Sequence, residues 1–127
     1  MNINRLDHLV LTVRSVEASC TFYQEVLGME IITFGEERKA ASFGQQKINF
    51  HEVDKEIDPK ANTPLPGSSD LCLITSETPI VVLQHLKKLG VAVVLGPVER
   101  TGALGSITSI YIRDPDYNLI EISSYAS

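Results

Sequence analysis

The chain has little of what several protein classes require. Its two cysteines, Cys20 and Cys72, are too few for a disulfide framework. Both stand in apolar patterns, where a buried thiol is the expected outcome. Basic residues are outnumbered, 11 Lys and Arg against 16 Asp and Glu, and the formal net charge is −5. That balance argues against nucleic-acid binding through a basic surface. No apolar run approaches the ~20 residues of a membrane span. "MNINRLDH" shows no charged region followed by an apolar signal stretch. The expectation is a soluble cytoplasmic protein with a small-molecule partner, no nucleic acid and no membrane. At 127 residues, 43% of them hydrophobic and 21% charged, one compact domain with a real core is within reach.

What is present is periodic. Leu9, Leu11 and Val13 alternate with His8, Val10 and Thr12, so "LDHLVLTV" reads as a strand, Leu6 to Val13. Ser15 is a helix N-cap, and Val16, Cys20, Tyr23 and Leu27 follow at helical spacing until Gly28, with Phe22 and Val26 widening the stripe. "MEIITFG", "KAASFG" and "QKINFHEV" read as strands. "DKEIDPKANTPLPGSS", residues 54–69, holds three prolines and reads as a linker long enough to carry function. The pattern then restarts. "DLCLIT" is a strand, and Thr78 and Pro79 open a helix striped by Val82, Leu83, Leu86 and Leu89 and stopped by Gly90. "VAVVLG", "SITSIYIRD" and "NLIEISSY" are strands, with "DPDYN" as a turn.

The restart is a repeat. An offset of 62 carries Gly28 to Gly90, His8 to Asp70, and Leu9 and Leu11 to Leu71 and Leu73. One βαβββ unit used twice is the reading, an α+β fold. Module one covers about 4–53, the linker about 54–68 and module two about 69–127. Near the ends of the halves an offset of 70 pairs His51 with Glu121; a register shifted by two sets Asn49 opposite Glu121 instead.

The repeat picks out His8, His51, Asp70 and Glu121, four potential ligands on otherwise apolar strands. Two imidazoles and two carboxylates suit Zn, Ni, Mn or Fe(II) better than Ca. Glu121 interrupts Leu119, Ile120 and Ile122, where an unpaired carboxylate is costly to bury. Each has an ordinary reading too: a hydrogen-bonded structural His8, a solvated His51, a strand-capping Asp70, a Glu121 paired with Arg100 or Arg113. As a constellation they point to a divalent-metal site with His8 and Glu121 at its centre. His85 falls on the polar face of the second helix. "GPVERTGALGSIT", Gly96 to Thr108, reads as a glycine-bearing loop; Arg100 is suited to a bidentate contact with an anionic ligand, with Asn49, Thr101 and Tyr111 as further substrate contacts.

These stretches also carry a family resemblance. "LDHLVLTVRSVEASCTFYQEVLGME" and "IYIRDPDYNLIEI" resemble the opening and closing signatures of the vicinal oxygen chelate superfamily of glyoxalases, bleomycin-resistance proteins and extradiol dioxygenases. The middle of the chain is most similar to the glyoxalase domain-containing protein 5 group. The resemblance implies paired βαβββ modules forming open half-barrels around a central cavity, with metal ligands at His8 and Glu121. Asp70 stands where the family has histidine or glutamine, and His51 or Asn49 where glyoxalase I has glutamate. Tyr117 takes the usual glycine place of an Asp-Pro-Asp-Gly-Asn turn. The implied activity is that of a metal-dependent lyase, isomerase or hydrolase on a small vicinal-oxygen substrate, with Glu121 as base. The rivals are a metal-free ligand-binding protein of the bleomycin-resistance type and an extradiol-type dioxygenase. A homodimer is implied in either leading case, since open half-barrels leave edges to cover.

Overall fold

The computed structural model describes residues 1–125; the last two residues of module two lie outside them. The chain divides into two compact units, the first ending at Ser68 and the second beginning at Ser69. Each is a βαβββ module with a four-stranded sheet, and neither sheet closes on itself.

In the first unit, β1 (His8–Val13), α1 (Val16–Glu25), β2 (Glu30–Phe34), β3 (Arg38–Phe43) and β4 (Gln46–Glu52) give the sheet order β1-β4-β3-β2. The Ser15 hydroxyl accepts from the Ala18 N–H at 3.1 Å and caps α1. Leu11, Val13, Ile48, Phe50 and Ala41 are buried on one sheet face together with Tyr23 of α1. The Tyr23 and Phe50 rings lie 5.4 Å apart. The other face carries His8, Val10 and Thr12 of β1, Lys47, Asn49 and His51 of β4, and Arg38 of β3, because side chains alternate along a strand. Residues 54–68 form no helix or strand.

In the second unit, β5 (Asp70–Ile74), α2 (Pro79–Lys88), β6 (Leu95–Gly102), β7 (Gly105–Arg113) and β8 (Leu119–Ser124) give the order β5-β8-β7-β6. Val82 and Leu86 of α2 are buried, as are Ile110, Ile112 and Ile120 of the sheet. The opposite sheet face carries Asp70 and Cys72, Glu121 and Ser123, Ser109 and Tyr111, and Arg100. Of the helix stripe read from sequence, Leu89 is 43% exposed. Thr78 holds the N-cap position of α2 without a side-chain capping bond.

Three expectations differ from the structure. Residues 91–94 of "VAVVLG" are not in a strand, and Gly96 to Thr108 is not a loop. β6 and β7 pair antiparallel from Leu95↔Tyr111 to Gly102↔Gly105, leaving only Ala103 and Leu104 between them. The glycines that suggested a loop serve the hairpin. Gly96, at φ 117°, sits in an irregularity between Leu95 and Val98, and a Cβ there would lie 2.5 Å from the Ser109 carbonyl oxygen. Cys72 is exposed rather than buried, because it alternates onto the β5 face shared with Asp70. Among the described residues no helix is long and apolar enough to cross a membrane.

Candidate functional site

The strand registers decide which residues of the repeat are equivalent. Val10 stands opposite Asn49 in the first sheet, and its repeat equivalent Cys72 stands opposite Glu121 in the second. Asn49 therefore holds the place of Glu121, and His51, opposite Thr12, holds that of Ser123. Each unit thus presents one diagonal pair at equivalent positions: His8 with Asn49, and Asp70 with Glu121. Such pairs stand about 8 Å apart on a sheet face, given a strand spacing of ~4.8 Å and two rises of ~3.3 Å. His51 lies four residues beyond the partner of His8 along β4, about 13 Å away at the ~3.3 Å rise of a strand.

His8 is exposed at the start of β1, and its Nδ1 lies 2.8 Å from Asp7 Oδ2. That bond holds the Asp7 carboxyl below the usual carboxylate range. Nδ1 is thus engaged by the carboxylate, and Nε2 is the ring nitrogen turned away from Asp7. Among the described residues nothing bonds Nε2.

Glu121 is half-buried at the middle of β8. The Ser109 hydroxyl donates to its Oε2 at 2.5 Å, and Ser123 Oγ lies 3.3 Å from the same oxygen. Ser109 and Ser123 are 0% and 1% exposed and 2.7 Å apart. The Cys72 thiol donates to Ser123 Oγ at 3.3 Å. A run of donors from Cys72 through Ser123 and Ser109 to Glu121 uses each proton once. One carboxylate oxygen is held and the other, Oε1, has no bond to a described residue. These hydroxyls, not an arginine, are what make the burial of Glu121 tolerable. Arg100 donates to Tyr111 Oη at 3.1 Å, and Arg113 to the Tyr117 carbonyl at 3.2 Å.

The remaining predicted residues scatter. Tyr111 stands directly opposite Glu121, with the Arg100 guanidinium 5.7 Å from its ring centroid. Thr101, next to Arg100 along β6, alternates onto the other face and does not join them. Asp70 is exposed at the head of β5. His51 is half-buried, its Nε2 3.4 Å from Arg38 Nη2. Burial, then the Arg38 charge, hold its imidazole below the ordinary histidine range. A nitrogen already facing a guanidinium is a poor place for a second cation. Among the described residues no three of His, Cys, Asp and Glu are gathered into a metal-binding group.

Sequence reading missed Asp7, Ser109 and Ser123. The Asp-His dipeptide was a signal for the first. Serines on the same face as a strand carboxylate were a signal for the other two, once the β7–β8 register is known.

The two βαβββ modules, with histidine at the head of the first strand and glutamate in the last, define a glyoxalase-type protein. The chain belongs to the Glyoxalase/Bleomycin resistance protein/Dioxygenase superfamily, whose profile matches residues 5–122. It is 58% identical to Virulence protein STM3117 of Salmonella typhimurium over 98% of this chain and 87% of that protein. The crystal structure of that protein superposes with a TM-score of 0.97, covering 99% of this chain and 100% of the other. The chain is also 50% identical to the Glyoxalase domain-containing protein RDO1 of Mycosarcoma maydis, over 98% of this chain and 70% of that one. Lactoylglutathione lyase from Agrobacterium tumefaciens shares the fold, with a TM-score of 0.74 at 20% identity over 98% and 96% of the two chains. These relatives carry other names than the glyoxalase domain-containing protein 5 group that the middle of the chain resembles.

Proposed function

We propose that the chain is a divalent-metal-dependent lyase, isomerase or hydrolase of the glyoxalase type, acting on a small substrate with oxygens on adjacent carbons. His8 in the first unit and Glu121 in the second are each assigned as a metal ligand. One observation carries this reading: each residue has one polar atom tied by a neighbour and one left over. His8 gives Nδ1 to Asp7 and keeps Nε2; Glu121 gives Oε2 to the Ser109 hydroxyl and keeps Oε1. Outer partners that fix tautomer and orientation in this way are what metal-binding imidazoles and carboxylates ordinarily have.

The donor chemistry fits the group. A mixed nitrogen and oxygen set suits Zn, Ni, Mn or Fe(II). When bound, such an ion supplies Lewis acidity toward substrate oxygens. The chain's own share is orientation: Ser109, itself held by Ser123, fixes one carboxylate oxygen, and Asp7 fixes the imidazole. Asn49 and Asp70, each diagonal to one of the two ligands in its own unit, are the remaining candidates. A Glu121 carboxylate with a free oxygen is also the candidate base.

The test is metal content by plasma mass spectrometry on untagged protein, beside His8→Ala and Glu121→Ala variants shown to fold by circular dichroism. Near-stoichiometric Mn, Fe, Ni or Zn that is lost in both variants is the expected result. Protein that holds no metal after incubation with each ion overturns the proposal and leaves metal-free ligand binding as the function.

A further inference from the structure

Away from the metal candidates, the two helices carry outward faces that complement one another. α1 and α2 are each ten residues long, and each buries two residues: Ser19 and Tyr23 in the first, Val82 and Leu86 in the second. Aligning those buried positions matches the outward faces place for place. Along α1, Ala18, Phe22 and Val26 form an apolar groove bordered by Thr21, Glu17 and Glu25. Along α2 the same places hold Val81, His85 and Leu89, with Gln84 for Thr21 and Lys88 for Glu25. Val81 and Leu89 are each 43% exposed.

The charges on these faces are opposite and equally spaced. Glu17 and Glu25 stand eight residues apart, about 12 Å at a rise of about 1.5 Å per residue. The same span separates Lys88 from Ile80 in the first turn of α2, and that turn is a bare positive end. Thr78 makes no side-chain capping bond there, and no acidic residue stands in the turn. None of Glu17, Glu25 and Lys88 is in an ion pair among the described residues. Laid antiparallel on α2, α1 sets Glu17 against Lys88 and Glu25 against the positive end, and the two helix dipoles oppose. Ala18 then meets Leu89, Phe22 meets His85 and Val26 meets Val81. Two α1 helices laid the same way would set Glu17 against Glu25, so the complement of α1 is α2.

We infer that these faces are a contact between two copies of the chain, α1 of one antiparallel to α2 of the other, repeated by a twofold axis. An apolar centre flanked by paired charges is the ordinary anatomy of such a surface. The contact lies on the helix side of each unit, opposite the sheet faces that carry His8 and Glu121. It goes beyond the metal reading and stands whether or not an ion binds.

The experiment measures the dimer dissociation constant of the full chain by sedimentation velocity at low salt. Glu17→Lys and Lys88→Glu are each expected to weaken association by roughly tenfold or more, because one charge pair turns repulsive twice per dimer. The double variant Glu17→Lys/Lys88→Glu restores the pair in reverse, and is expected to return to within about threefold of the parent. An equimolar mixture of the two single variants should do the same, since a mixed dimer holds one native and one reversed pair. Helix stability alone predicts the opposite order, because each reversal opposes its own helix dipole and the double variant carries both. Circular dichroism reads the fold of each variant. Ala18→Arg, at an exposed position, fills the groove and is expected to give a monomer. A monomeric parent chain, which leaves the faces to a different protein, overturns the proposal. So do single variants that associate like the parent, or a double variant no tighter than the singles.

Discussion

The Ser109 hydroxyl lies 2.5 Å from Glu121 Oε2, across two antiparallel strands in which Ser109 pairs with Ser123 and Tyr111 with Glu121. Removing the hydroxyl leaves the carboxylate in place but free to rotate. Ser109→Ala is expected to keep the fold and to weaken metal binding by roughly 10- to 100-fold, the usual cost of an outer partner. Competition against a chelating dye reads the affinity, and circular dichroism reads the fold. Unchanged affinity would remove Ser109 from the site.

His51 sets a pH dependence whose sign is fixed by its surroundings. Burial and then Arg38 depress its pKa below the ordinary 6.5. The stability it contributes is complete above pH 6.5 and is lost as pH falls through the lowered value, because the unfolded chain takes up the proton first. His51→Asn should therefore show a shallower fall in urea midpoint between about pH 6.5 and pH 5 than the parent chain. Equal slopes would contradict the assignment.

Leu86 and Leu89 belong to one stripe in the sequence but not in the structure, where they are 0% and 43% exposed. Leu86→Ala is expected to cost about 2–5 kcal/mol by leaving a cavity. Leu89→Ala should cost under about 1 kcal/mol. Thermal denaturation of the two variants separates them.

Tyr117 adopts φ 66° in the β7–β8 turn, a left-handed conformation that a side chain disfavours. The turn is imposed by Asp114, whose Oδ1 accepts from the Asp116 and Asn118 N–H groups, both at 2.9 Å, and whose Oδ2 accepts from the Asn118 amide at 2.8 Å. Tyr117 is 73% exposed, so truncation removes little packing. Tyr117→Gly is expected to raise stability by about 0.5–1 kcal/mol, read as a higher melting temperature.

Much of the fold was legible because its signals are local. Ser15 before Val16, Gly28 after the first helix, and the alternation of Leu9, Leu11 and Val13 each act through neighbouring residues. The repeat was legible for the same reason, since Gly28 and Gly90 stop the two helices alike. The β6–β7 hairpin was not, because Gly96, Gly102 and Gly105 promise a loop until a partner strand is there to use them. Thr101 was grouped with Arg100 by nearness in the chain, and only pairing with Ser106 shows that they face opposite ways.

By itself the sequence determined the two βαβββ modules, their helices, and the candidacy of His8 and Glu121, all through periodicity and residue chemistry. The tertiary structure alone decided that Asn49 rather than His51 answers Glu121, that Asp7, Ser109 and Ser123 orient the two candidate ligands, and that Arg38 occupies His51. Those facts depend on strand register. Register is set by pairing between residues some 40 positions apart in β1 and β4, and nearly 50 in β5 and β8. A shift of two residues keeps every side chain on its proper face while changing all its neighbours, so the alternation of a strand cannot reveal it.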